Sequence, residues 1–312
     1  MKKYTFPSVP QVTIFAALLA AGALFGCEAK PGATAAPSAA PSAARITSLA
    51  EKTKAQLVLV KGGEFQMGDF GEIHSPEKLP YTGERHDGPL HKVSLSDFSM
   101  MKYKVTLAEY DTYAAANDLP VAYSTPADAL FSKSLRAHPK SATFPVGVDW
   151  PDAQSYCRWV GKQLGLSMDL PTEAQWEYAA RARGAMLVFA TDNGKEEPNR
   201  NFPTYNHVEE SVGEGGQLPV GMYPPNSLGL YDLGFNGYEW MADWYAEDYY
   251  ARSPEKNPRG PESGTTKVVR SLTNDGNDHP AKTFQRDARA MLQANRPKSV
   301  GNSAFGFRCV AQ

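Results

Sequence analysis

Leu170-Pro171-Thr172-Glu173-Ala174-Gln175-Trp176-Glu177-Tyr178-Ala179-Ala180-Arg181 pairs a threonine with a glutamine three residues later. The Thr hydroxyl can accept from the Gln amide while the Gln side chain accepts from the Thr amide, so the spacing predicts a capped helix from Pro171-Thr172 to about Arg183. Upstream, Pro151 opens a second predicted helix. Its Ala153, Tyr156, Cys157, Val160 and Leu164 form one apolar stripe at helical spacing, which turns Cys157 toward the core. Earlier still, Thr106-Leu107-Ala108-Glu109 is another capping box, opening a helix to about Ala116. Leu57–Val60 and Lys92–Phe98 read as strands, the second with imperfect alternation. With 26 Gly and 24 Pro in 312 residues, most of the remaining chain must be loop and short strand.

Composition narrows the function. Hydrophobic residues at 42% and charged residues at 21% fit a globular chain rather than disorder. Lys and Arg number 32 against 34 Asp and Glu, so no basic excess is present to neutralise a phosphate backbone, and nucleic acid is not an expected partner. The cysteines stand at 27, 157 and 309, without a CxxC or similar zinc pattern. Of the six histidines, at 74, 86, 91, 138, 207 and 279, His74, His86 and His91 lie in a loop-like region, fit no i,i+4 or HxH pattern and read as surface or loop residues.

The N-terminus carries an export pattern. Lys2 and Lys3 precede an apolar run from Val12 to Gly26, too short for a comfortable membrane span. The run ends in Leu24-Phe25-Gly26-Cys27, which resembles a bacterial lipobox and implies lipidation of Cys27. The alternative is an ordinary cleaved signal in which Cys27 is incidental. Ala29–Ala44 is almost wholly Ala, Pro, Ser and Gly, a composition that buries no core and behaves as a tether. The expected organisation is a signal over 1–26, a lipidated cysteine and tether over 27–50, and one domain over 51–312. Glu28 is not the aspartate that resembles an inner-membrane retention signal, so outer-membrane attachment is expected, with the anchored domain facing the periplasm.

Six ordered motifs carry a family resemblance: GGEFQMG (62–68), PLHKVSLSDFSMMKYKVT (89–106), PVGVDWPDAQSYCRW (145–159), LPTEAQWEYAAR (170–181), NSLGLYDLGFNGYEWMADWY (226–245) and GFRCV (306–310). Together they resemble the formylglycine-generating enzyme family, also called the sulfatase-modifying-factor family. The resemblance covers residues 56–312 and implies an α+β fold of the C-type-lectin-like type, loop-rich with little regular secondary structure. It also implies a disulfide between Cys157 and Cys309, with two free buried thiols as the alternative.

Active members of that family hold copper(I) on a C-terminal cysteine pair, because soft thiolates suit that ion. The matching stretches here, Val268–Gly276 and Thr283–Arg289, contain no cysteine, so neither copper nor formylglycine formation is expected, and no catalytic residue is assigned. The resemblance further implies a structural calcium site at Asp232, Phe235, Gly237 and Glu239, whose oxygens suit a hard cation. The alternative is that Asp232 and Glu239 are capping or salt-bridged carboxylates. Thr273, Asn274, Asp275, His279, Arg286 and Arg289 fall where the family groove receives its substrate peptide; their alternative is a solvated loop. These readings combine into an envelope-anchored domain without oxidase activity that binds a protein partner or ligand as a scaffold or toxin-immunity protein. The alternative is a periplasmic oxidoreductase with changed chemistry, as in siderophore maturation.

Overall fold

The computed structural model describes residues 41–123, 135–212, 216–272, 279–290 and 304–312. Helix α1 (Ala43–Ala55) starts at Ser42, whose hydroxyl accepts from the Arg45 amide, and buries Leu49, Ala50 and Thr53. The expected tether boundary at residue 50 is therefore corrected to about residue 42. Alanine suits a helix once a cap has started one, so composition alone did not mark the transition. The region around Cys27 lies outside the described residues. Among the described residues no helix is long and apolar enough to cross a membrane.

Among the described residues the strands form three small sheets. In the first, β1 (Leu57–Val60), β4 (Phe98–Met101), β10 (Val310–Ala311) and β5 (Met168–Asp169) lie side by side in that order, all antiparallel. The second pairs β2 (Gly63–Met67) with β3 (His91–Leu95). The third runs β8 (Asp287–Ala290), β7 (Thr266–Arg270), β6 (Tyr238–Trp244), β9 (Phe305–Gly306), with β9 parallel to β6.

The single strand expected over Lys92–Phe98 is two strands in different sheets. Asp97 makes the break. Its carboxylate accepts from the Gly62 amide and the Lys61 ammonium, both at 2.8 Å, while Ser96 N donates to Asn257 at 2.9 Å. These bonds fix the step from one sheet to the next. His91, expected in a loop, opens β3 with its ring 4.6 Å from that of Tyr250.

Helices α3 (Leu107–Ala116), α4 (Trp150–Leu164) and α5 (Glu173–Ala180) follow the short helix α2 (Gly71–His74), and α6 (Tyr205–Val212) comes last. Both capping boxes form: Glu109 accepts from the Thr106 amide at 2.8 Å and Gln175 from the Thr172 amide at 2.9 Å. Helix α4 buries Ala153, Tyr156, Cys157 and Val160, and ends at Gly165 in the left-handed region (φ 66), where a β-carbon is disfavoured.

Helix α5 stops at Ala180, three residues short of the expected end. Ala182 and Arg183 take positive φ, and Arg181 turns inward to donate to the carbonyls of Gln66 and Ala185. Every residue of α5 is buried, including both glutamates. A helix polar on no face must satisfy its charges inside the protein.

Candidate functional site

Glu173 and Glu177, one helical turn apart on α5, gather three guanidinium groups. Glu173 Oε1 accepts from Arg286 Nε at 2.7 Å and Arg270 Nε at 3.1 Å, and its Oε2 accepts from Arg286 Nη2 at 2.9 Å. Glu177 Oε1 accepts from Arg181 Nη1 at 2.8 Å and the Gly68 amide at 2.9 Å, and Oε2 from Arg270 Nη2 at 2.9 Å. All five side chains are buried. Aromatic faces fill the gaps: Arg286 lies 4.5 Å from the Tyr250 ring centre and 4.9 Å from that of Tyr245, and Arg181 lies 4.5 Å from Phe70. Such planar, weakly hydrated cations suit buried carboxylates and ring faces better than lysine does.

Two further carboxyls border this network. Asp87 accepts from the Arg286 amide at 3.1 Å and the Thr82 hydroxyl at 2.8 Å; burial pushes its carboxyl up, offset in part by Thr82 and Arg270. Asp243 accepts from the Glu173 amide at 2.8 Å. Burial, reinforced by the negative charge of Glu173, pushes Asp243 up to about 7, so it exchanges a proton near neutrality.

The network reaches solvent at His86 and Tyr245. Nδ1 of His86 lies 2.9 Å from the Tyr245 hydroxyl, its Nε2 lies 3.6 Å from Asp87, and the ring is 20% exposed. Burial raises the Tyr245 phenol, which therefore stays protonated at neutral pH. Here a proton donor and acceptor stand together at the surface, an arrangement able to bind or to relay a proton to a polar ligand. A cleft of about 420 Å³ opens nearby, lined by Asp69, Phe70, Ile73, Pro80, Glu84 and Arg85 among others.

The expected groove residues divide. Thr273, Asn274 and Asp275 lie outside the described residues. His279 is exposed and sits 3.2 Å from Glu196. Arg289 is on β8, opposite Lys267. Arg286 corrects the reading: it is 2% exposed and held by Glu173, so it supports the face from beneath and does not present its guanidinium to a partner. The buried network was not read from the sequence. Its one local signal was a pair of glutamates at i and i+4 among Ala, Trp and Tyr. Arg181 stands one turn after Glu177, but the other two arginine partners, Arg270 and Arg286, stand 93 to 113 residues away, beyond the reach of periodicity.

The cysteines pair as the resemblance implies, with Cys157 and Cys309 both fully buried in one disulfide. Three of the four residues expected around calcium, Phe235, Gly237 and Glu239, converge, but on a side chain. Lys104 Nζ donates to the carbonyls of Phe235 at 2.7 Å, Asn236 at 3.0 Å and Gly237 at 2.5 Å, and stands 3.9 Å from Glu239 Oε1. Glu239 is bidentate on Arg308, at 2.7 and 2.9 Å. Asp232 accepts from the Gly221 amide at 2.8 Å through Oδ2. Calcium needs six to eight free oxygens at 2.3–2.6 Å. Since the carbonyls already hold an ammonium and the carboxylate holds a guanidinium, this set does not fit calcium, and Glu239 is the salt-bridged carboxylate of the alternative reading.

Comparison with known proteins agrees with this architecture. The family model for the sulfatase-modifying factor enzyme 1-like domain matches residues 42–312. The formylglycine-generating enzyme of Streptomyces coelicolor is 32% identical over 320 residues, covering 89% of this chain and 96% of that protein. The serine/threonine-protein kinase pkn1 of Chlamydia pneumoniae is 33% identical over 273 residues, which are 81% of this chain but only 37% of the kinase. The solved structure of PvdO from Pseudomonas aeruginosa superposes with a TM-score of 0.58 at 26% identity, covering 82% of this chain and 94% of that one. The α+β, loop-rich fold, the capped α5 helix and these matches establish one conclusion: the chain belongs to the formylglycine-generating enzyme, or sulfatase-modifying-factor, family.

Proposed function

We propose that this chain is a lipid-anchored envelope member of the family that makes no formylglycine and binds a protein partner or ligand through the face around His86, Tyr245 and residues 279–287 and its neighbouring cleft. One observation carries the reading. The domain's two cysteines are consumed in a single buried disulfide, and the segment where active members place their thiolates has no sulfur at all. Cysteine chemistry of this kind requires an accessible thiolate.

The test is oxygen uptake by the purified chain, loaded with copper(I) and given cysteine-containing peptides. No uptake above buffer is expected; turnover proportional to protein concentration would refute the proposal. Anchoring is tested separately by Cys27→Ser. The unaltered protein is expected to sediment with membranes and the variant to stay in the supernatant. Equal partition of the two would remove the lipid from the account.

The hydrogen-bonded His86 and Tyr245 favour a second reading, an envelope enzyme with changed chemistry, since they place an acid and a base at the rim of the same face. Under that reading a His86→Gln variant loses turnover of the true substrate while partner binding persists.

A further inference from the structure

We propose that Lys104 is the resident cation of the 232–239 loop: its ammonium takes the place a free metal ion would take, so the loop is complete without metal and becomes a calcium site only when that side chain is shortened. The loop is built as a cation cradle. Three successive carbonyls, those of Phe235, Asn236 and Gly237, aim at one point, an arrangement an ordinary strand or helix cannot produce. Positive φ at Asn236 (64°) and Gly237 (96°) turns them inward.

The occupant matches the cradle in number. A lysine ammonium has three donors and no acceptor, and each of the three carbonyls takes one donor. Charge matches as well. Lys104 and Arg308 face Glu239, with Asp232 within electrostatic reach of both cations. Burial pushes Lys104 down to about 8, with Glu239 opposing the shift, so at mildly acidic pH it is charged. A divalent ion would have to evict this fully buried side chain and would overcharge the pocket.

Removing the ammonium takes one donor from each of the three carbonyls and leaves Phe235 O with its 3.2 Å bond from the Ser271 hydroxyl. Oδ1 of Asp232 is buried with no hydrogen-bond partner among the described residues. These oxygens are hard donors of the kind calcium takes, with water supplying the rest of its shell, while Glu239 stays on Arg308.

The experiment uses the purified full chain, labelled with nitrogen-15, at mildly acidic pH. A slowly exchanging ammonium resonance is expected, absent in Lys104→Met and unchanged by millimolar calcium. Its loss from the native protein on adding calcium overturns the proposal, as does its absence throughout. Lys104→Ala is expected to melt roughly 10 °C lower than the native chain. It is also expected to regain about 5 °C or more in millimolar calcium but not in potassium at equal ionic strength, and to bind one more calcium per chain than the native protein in equilibrium dialysis. An alanine variant that folds and gains no calcium overturns the proposal. If that variant does not fold, the native ammonium resonance decides alone.

Discussion

Glu173→Gln is expected to destabilise the domain by about 3–5 kcal/mol, because the change keeps the volume and removes the charge that two buried guanidiniums share. Glu173 is 2% exposed, and Arg270 and Arg286 both bond to it. Glutamine would retain one acceptor oxygen but turn an amide donor toward guanidinium donors. Glu177 and the Tyr250 hydroxyl would still hold Arg270, whereas Arg286, beyond the one glutamine oxygen, would keep among the described residues the long bonds to the His86 and Ala246 carbonyls, at 3.3 and 3.4 Å. Urea unfolding should show a lower midpoint with an unchanged slope, since the surface exposed on unfolding is the same. A loss under about 1 kcal/mol would mean that water already reaches these arginines, and the network would cease to be the frame of the candidate face.

Replacing both Cys157 and Cys309 by alanine is the second large change. The disulfide spans 152 residues, and closing a loop of that length stabilises by about 5 kcal/mol in the chain-entropy model. It ties the middle of α4 to the residue just before β10, so the covalent link and the sheet constrain the same segment. Melting curves of the native chain with and without reductant should separate by 10 °C or more, and the double alanine variant should follow the reduced curve. A native protein indifferent to reductant would show that the bond contributes nothing to stability.

The sequence disclosed what is local. Both capping boxes and the α4 stripe depend on residues within a turn or two of one another, and all three stand in the structure. The disulfide and the fold class were reached through family resemblance, because no spacing rule joins residue 157 to residue 309. What stayed hidden depends on distant partners. The step between β3 and β4 is set by Asp97 bonding back to residues 61 and 62 and by Asn257 reaching Ser96. No local pattern marks Lys104, whose carbonyl partners stand 131 to 133 residues later. Arg286 carried an ambiguity: a charge in a polar segment looks like surface until a buried glutamate claims it.

The position of β9 and β10 has a consequence for biosynthesis. β10 lies between β4 and β5, and β9 flanks β6, so residues 305–311 complete sheets whose other members were translated long before. Arg308, between these strands, supplies the counter-charge for Glu239. A nascent chain that has not yet emitted this segment has a gap between two strands and a buried glutamate, Glu239, without its bidentate partner. Such a chain stays open until residues 305–311 have been made, and its closure is deferred to a single late event that joins strands distant in sequence.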